Sequence, residues 1–448
     1  MRKIISLLIA VSVFASVMTG CGTKTASTDD GLTVVHVWTG DGGGRAVWEE
    51  LVDKFNKTTG KEKGIKIDWT TLAANSGEAS PIAVAQQNGQ LPEIFATSLE
   101  EVKKFAGTGD ILPIEDFKGG AEFLQDYGQP GIEGRNMFDG KVYGVYVSSN
   151  VPGIIYNKDL FKKAGLVDAN GEATPPKSFD EIISFAKKIT DTKSGIYGYS
   201  FPLKFGTAYT LSAPLASSFK DGLAVIDYDN LTVDFSNWKY AWDWMLKMRD
   251  DGSLFPGAES LDNDTSRAYF AEGKIGMMPA MSWDVGVLTT QFVADCDWDV
   301  APFPIYEGCE AAPVWRDLSG SYYLSKNAKK IDDEKVMEVY KFITSLDTRK
   351  AMYENGIRIS CKKDVLEVAD NSKIDKRFLK FAEILDERYE VKAMPSYALE
   401  GDSAEVVWQK VWADKMSVDD AIKDLTARSS EAFKKAVESG KIDVSIYK

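Results

Sequence analysis

The stretch Leu32 to Trp38 (LTVVHVW) contains no Gly, Pro, Asp or Lys and is rich in β-branched side chains. A strand with one wet face alternates polar and apolar residues, whereas one buried on both faces reads as a continuous run. The stretch therefore predicts a strand inside a parallel sheet. A glycine-rich turn follows, and Val47, Leu51, Val52 and Phe55 then recur at helical spacing before Ile65 to Trp69 (IKIDW) returns to strand. Such a β-α-β opening requires a right-handed crossover and builds an α/β fold with helices on both faces of its sheet.

The alternation continues with a helix through Pro81 to Asn88, a short strand at Glu93 to Ala96 and a helix from Leu99. Two apolar runs between Val142 and Tyr156 are split by Ser148-Ser149-Asn150-Val151-Pro152, a polar interruption that suits a crossing between lobes. Ser178 with Glu181 forms a capping box, and Phe179, Ile182, Ile183, Ala186 and Ile189 supply the apolar face behind it. Near the end Ser417 caps a helix with Val418, Ile422, Leu425 and Phe433 inward. In a chain of 448 residues, 44% hydrophobic content is more than one core holds, so two lobes are expected.

Arg2-Lys3 precede the apolar run Ile4 to Val17, and Met18-Thr19-Gly20-Cys21 ends it: the pattern of a secretory signal. That last tetrapeptide resembles a bacterial lipobox, in which the cysteine thiol takes a diacylglyceryl group. Residues 1–21 are accordingly a signal peptide, Cys21 a lipidation site, and 22–31 a flexible tether with no apolar face to bury. No later stretch has eighteen uninterrupted apolar residues, so the remainder is not expected to span a membrane. A formal charge of −14 argues against nucleic acid as a partner. Cys296, Cys309 and Cys361 are too few for a disulfide framework; Cys296 and Cys309 bracket a strand near Trp298 and are close enough in sequence to form one bridge, while the odd count favours three reduced thiols.

Cofactor chemistry has little material. His36 is the single histidine and sits inside the first strand, which leaves no His-ligated metal cluster and no histidine-based triad. The loop Gly40 to Arg45 (GDGGGR) lacks the third glycine of a dinucleotide loop and the Gly-Lys-Ser/Thr of a phosphate loop, but its small residues admit a ligand close to the backbone. Asp227-Tyr228-Asp229 and Asp262-Asn263-Asp264 begin like calcium loops and lack the glycine and distal glutamate, so they read as turns. No cofactor and no metal are expected.

Several blocks, taken in order, resemble the family 1 extracellular solute-binding proteins, the maltose-binding-like sugar receptors: GQLPEIFAT (Gly89 to Thr97), FDGKVYGV (Phe138 to Val145), YNKDLFKKAGL (Tyr156 to Leu166), PPKSFDEIISFAKKI (Pro175 to Ile189), AYFAEGKIGMMPAMSWDV (Ala268 to Val285), VAPFP (Val300 to Pro304) and SVDDAIKDL (Ser417 to Leu425). The resemblance covers nearly the whole chain after the tether. It implies a type II periplasmic-binding-protein-like fold, with 32–150 and 318–360 in one lobe and 151–317 and 361–448 in the other. It also implies a hinge near Asn150 and a second crossing near Asp317 to Gly320. A non-enzymatic, monomeric receptor follows, anchored at the outer face of the cytoplasmic membrane (periplasm-facing in a Gram-negative host), passing a carbohydrate to the membrane subunits of an ABC importer. The other readings are a receptor for a phosphate ester, peptide or polyamine, and a secreted glycoside hydrolase built on paired carboxylates.

A saccharide offers hydroxyls and weakly apolar C–H faces, so its site needs aromatic platforms beside hydrogen-bonding side chains. Trp38 and Asp41 stand at the C-terminal end of the opening strand, where open sheets place ligands. The family match adds Thr97, Ser98 and Glu100, with a plain helix cap as the other reading of Ser98. It also adds Asn150 at the hinge, Phe205 and Tyr209 in a variable loop, and Trp283 with Asp284, the tryptophan as stacking platform. Arg316 and Asp317 are placed as a hydroxyl clamp or an interlobe ion pair. Tyr397 and Asp402 complete the candidates.

Overall fold

In the computed structural model, which describes residues 28–29, 31–72, 80–129, 131–204, 225–309, 314–384, 388–390, 395 and 397–446, the opening strand runs Leu32–Thr39. It pairs parallel with Ile65–Thr71 and with Ile94–Phe95. Two departures from the expected all-parallel, doubly buried strand stand out. Tyr323–Ser325 enters the same six-stranded sheet antiparallel to Ile94–Phe95 and Ile111–Leu112. Burial along the opening strand also alternates: Val35 and Val37 are fully buried while His36 and Trp38 are half-buried, because the second face is only partly covered. His36 there bonds Glu93 from the neighbouring strand at 2.8 Å. Thr28 and Asp29, assigned to the tether, pair antiparallel with Thr33 and Leu32.

The second sheet has the order Tyr197–Tyr199, Ile275–Met281, Pro152–Asn157, Trp298–Ala301. Every residue of Pro152–Asn157 is buried, as a central strand covered by helices on both faces must be. One core packs Trp48, Phe55, Ile94, Tyr322, Tyr340 and Met352 around the first sheet. Around the second lie Phe179, Trp242, Trp408, Leu425 and Phe433, and on its other face Phe270, Tyr353, Ile359 and Phe378. Met352 and Tyr353 thus point into different cores from one helix, Leu346–Glu354. Adjacent residues on a helix face different sides, and Ile357 beyond it again packs against the first core.

Between the sheets the chain crosses on paired strands. Ser148–Asn150 runs antiparallel to Val314–Ser319, with Asn150 opposite Asp317, and Ile359–Ser360 flanks the first of them. The helices begin on side-chain caps: Ser98 accepts from Glu101 N, Ser178 from Glu181 N and Ser417 from Asp420 N. The Glu181 carboxylate accepts from Lys177 N rather than closing the expected box on Ser178. Cys296, Cys309 and Cys361 form no disulfide, Cys296 and Cys309 packing against different cores. No helix among the described residues is long and apolar enough to cross a membrane.

Candidate functional site

The C-terminal ends of the first-lobe strands and the start of the helix Asp284–Thr290 enclose a cleft of about 1250 Å³. One wall is the loop Thr39 to Gly43 with Ala96 to Leu99; the opposite wall carries Trp283, Gly286, Val287 and Thr289 to Gln291. Asn150 and Leu318 to Ser321 from the crossing strands form the floor together with Asn355 to Arg358. A Cβ added to Gly42 or Gly43 would meet nothing within 4 Å, so their backbone lies open to whatever enters.

The polar lining is dominated by guanidinium groups: Arg45, Arg135, Arg267 and Arg358, against the carboxylates Asp41 and Asp264. Arg358 meets Asp41 at 2.8 Å. Burial alone would raise the Asp41 carboxyl, but Arg358 and the donors Trp48 and Gly44 outweigh it and hold the group below its ordinary value. Arg267 bonds Asp264 at 2.7 Å and Asp284 through Nε at 2.7 Å. Burial works against its charge, yet the two carboxylates keep its pKa above the usual value. No group of three His, Cys, Asp or Glu side chains among the described residues is placed to hold a metal ion.

A family model described as bacterial extracellular solute-binding protein matches residues 50–377. The chain belongs to that family. A putative binding protein of Brucella abortus is 24% identical over 329 residues, 72% of this chain and 73% of that one. The maltotriose-binding protein of Pyrococcus abyssi is 26% identical over 242 residues, 52% of this chain and 46% of the other. In fold, the chain is similar to the maltose/maltodextrin-binding domain of Bdellovibrio bacteriovorus bound to maltotriose (TM-score 0.66, 22% identity, 91% and 100% coverage). It is equally similar to the GacH receptor of Streptomyces glaucescens (TM-score 0.68, 21% identity, 90% and 98% coverage). Two lobes around a cleft are the architecture of these extracellular solute-binding proteins.

Within this binding protein the cleft brings together Asp41, Thr97, Ser98, Asn150 and Trp283. Trp38 is not among its lining residues; the side chain alternates onto the sheet face that packs against Ile82, Phe95 and Phe105. Asp284 is 3% exposed and sits behind the wall, accepting from Met281 N at 2.7 Å and pairing with Arg267. It fastens the strand-to-helix corner that presents Trp283. Ser98 caps Leu99–Thr108 and also lines the cleft. Tyr397 packs at a tilt beside Phe433 in the second-lobe core, and Asp402 pairs with Lys410, both outside the lining. Arg316 and Asp317 lie on the second crossing strand and Glu100 in the capped helix; their side chains, like residues Cys21, Phe205 and Tyr209 altogether, fall outside what the structure describes. The arginines were missed by sequence reasoning. Arg358, in the run Gly356-Ile357-Arg358-Ile359, reads as the polar position of an alternating strand and carries no local signal of a binding role.

Proposed function

We propose that this protein is a receptor that captures a carbohydrate in the interlobe cleft and passes it unaltered to the membrane subunits of an ABC importer. One observation carries the reading: the cleft that an indole, Trp283, lines on one wall carries hydroxyl groups on the other and a guanidinium on its floor, the combination that a sugar's C–H faces and hydroxyls require. Relatives and fold neighbours that bind maltotriose support it. The protein is monomeric, lipid-anchored through Cys21 at the outer face of the cytoplasmic membrane, and its lobes close about the strands Ser148–Asn150 and Val314–Ser319. Ligand favours closure because only the closed arrangement touches it from both sides.

Calorimetry of the mature chain against maltotriose, mannobiose, xylobiose and raffinose tests the reading: one at least binds, and chromatography afterwards recovers it intact. Cleavage products would instead indicate a hydrolase. A second reading, a phosphate-ester receptor, is favoured by the four arginines of the lining and by an sn-glycerol-3-phosphate-binding relative 24% identical over 308 residues. Binding of sn-glycerol 3-phosphate with no saccharide bound would select it.

A further inference from the structure

Asp41 has little left with which to contact a ligand. Its Oδ2 accepts from Arg358 Nε at 3.1 Å and from Trp48 Nε1 at 3.0 Å and lies 2.8 Å from Arg358 Nη2, while Oδ1 accepts from Gly44 N at 3.1 Å. A carboxylate offers about four acceptor positions, two on each oxygen; these contacts saturate Oδ2 and leave one position on Oδ1. Arg358 is the reverse case. A guanidinium carries five N–H donors; here Nε and one N–H of Nη2 face Asp41, and one N–H of Nη1 donates to Ser148 Oγ at 3.2 Å. One N–H on each terminal nitrogen has no acceptor among the described residues, and the side chain, 20% exposed, lines the cleft.

The surroundings are shaped to seat this group. Gly320 has φ +74, and a Cβ there would stand 2.5 Å from Arg358 Nη1, so the residue at the exit of the second crossing strand has to be small for the guanidinium to pass. Ser148 Oγ lies 2.9 Å from Ser319 Oγ, which accepts from Asn150 Nδ2 at 3.0 Å. A polar chain therefore runs from the first-lobe loop through Arg358 into both crossing strands. Arg267 also spends three of its five N–H donors, but on two carboxylates, Asp264 and Asp284, and it is the less exposed of the two at 13%.

We propose that Arg358 is the residue that reads the ligand at the cleft floor, its two outward N–H bonds donating to adjacent oxygens of a saccharide, with Asp41 as the positioning residue that holds the guanidinium in place. The inference rests on the carbohydrate reading of the same cleft. It makes this point of the floor a pair of donors: vicinal hydroxyls with free lone pairs fit it, and a deoxy sugar lacking one of them does not.

The test is calorimetry of the mature chain with the saccharide that wild-type protein binds, repeated on Arg358→Gln, Arg358→Lys and Asp41→Asn, with thermal unfolding alongside. Loss of charge-assisted donors weakens affinity about ten- to a hundredfold in Arg358→Gln. Arg358→Lys keeps the charge, loses the fork, and binds at least about fivefold more weakly. Asp41→Asn falls between wild type and Arg358→Gln. A purely structural tie would instead lower the melting temperature and leave affinity within about twofold in the folded variants, which overturns the proposal. Should Arg358→Gln not fold, Arg358→Lys and a crystal structure of the loaded wild type decide: ligand oxygens within about 3.2 Å of Nη1 and Nη2 support it, and none nearer than about 4 Å overturns it. If wild type binds sn-glycerol 3-phosphate and no saccharide, the carbohydrate reading falls and this assignment falls with it.

Discussion

Trp283 and Trp38 are both half-buried indoles at strand ends, yet they face different surroundings and should respond differently to truncation. Trp283→Ala removes a wall of the cleft, so affinity for a bound saccharide should drop by about 1–3 kcal/mol, read by calorimetry, with little change in melting temperature. Trp38→Ala opens a space beside Phe95 and Phe105 and should lose about 2–4 kcal/mol of stability in denaturant titrations while affinity stays near wild type. Asp41 adds a pH dependence. Its folded pKa lies below the unfolded value of 3.8, so its ion pair contributes stability that is fully present above that pH and is lost as pH falls through the folded value. The stability gap between wild type and Asp41→Asn should therefore narrow on acidification below about pH 4. His36 has the opposite sign. Its hydrogen bond to Glu93 raises the folded pKa above 6.5, so its contribution is whole below 6.5 and disappears as pH rises through the folded value. Urea titrations of His36→Asn should show a smaller fall in stability than wild type across that interval.

At the level of elements, the helix starts were readable because a cap is a local device: one side-chain oxygen and a backbone N–H two or three residues on. Ser98 shows what that reading leaves out. Its hydroxyl accepts from Glu101 N at 3.4 Å, and the residue also lines the cleft, so Ser98→Ala should destabilise the protein by about 1 kcal/mol and weaken binding as well. The opening strand was recognisable from its β-branched run, but its neighbours were not. A strand's period of two sets which side chains share a face, whereas the antiparallel entry of Tyr323–Ser325 depends on a chain return of more than two hundred residues. Gly320 belongs to the same category. A methyl there meets Arg358, Val147 and Ser148 inside van der Waals distance at positive φ, so Gly320→Ala should destabilise by about 1–3 kcal/mol and displace the guanidinium.

For the whole molecule, the crossing strands and the helix Leu346–Glu354 link the two lobes, and successive residues of that helix, Met352 and Tyr353, serve one core each. In the proposed closure, bending would fall on these few connecting residues while each lobe moves as a unit. Saturating saccharide should shrink the radius of gyration in small-angle scattering. At a free concentration of about a hundred times Kd it should also add about 2.7 kcal/mol to the unfolding free energy. Unchanged scattering with tight binding would mean that the lobes do not close on the ligand.

Short-range order was in the sequence: periodicities of two and near four, side-chain caps, and the local blocks that the family shares. These depend on residues a few positions apart, so they survive being read in one dimension. The cleft's electrostatics were not, because Asp41 and Arg358 stand 317 positions apart and become partners only when the chain has crossed between lobes and returned. Burial then decides which charges are neutralised behind the wall, as at Asp284, and which keep donors facing the cavity, as at Arg358. Those outcomes follow from desolvation and proximity, which only the tertiary structure sets.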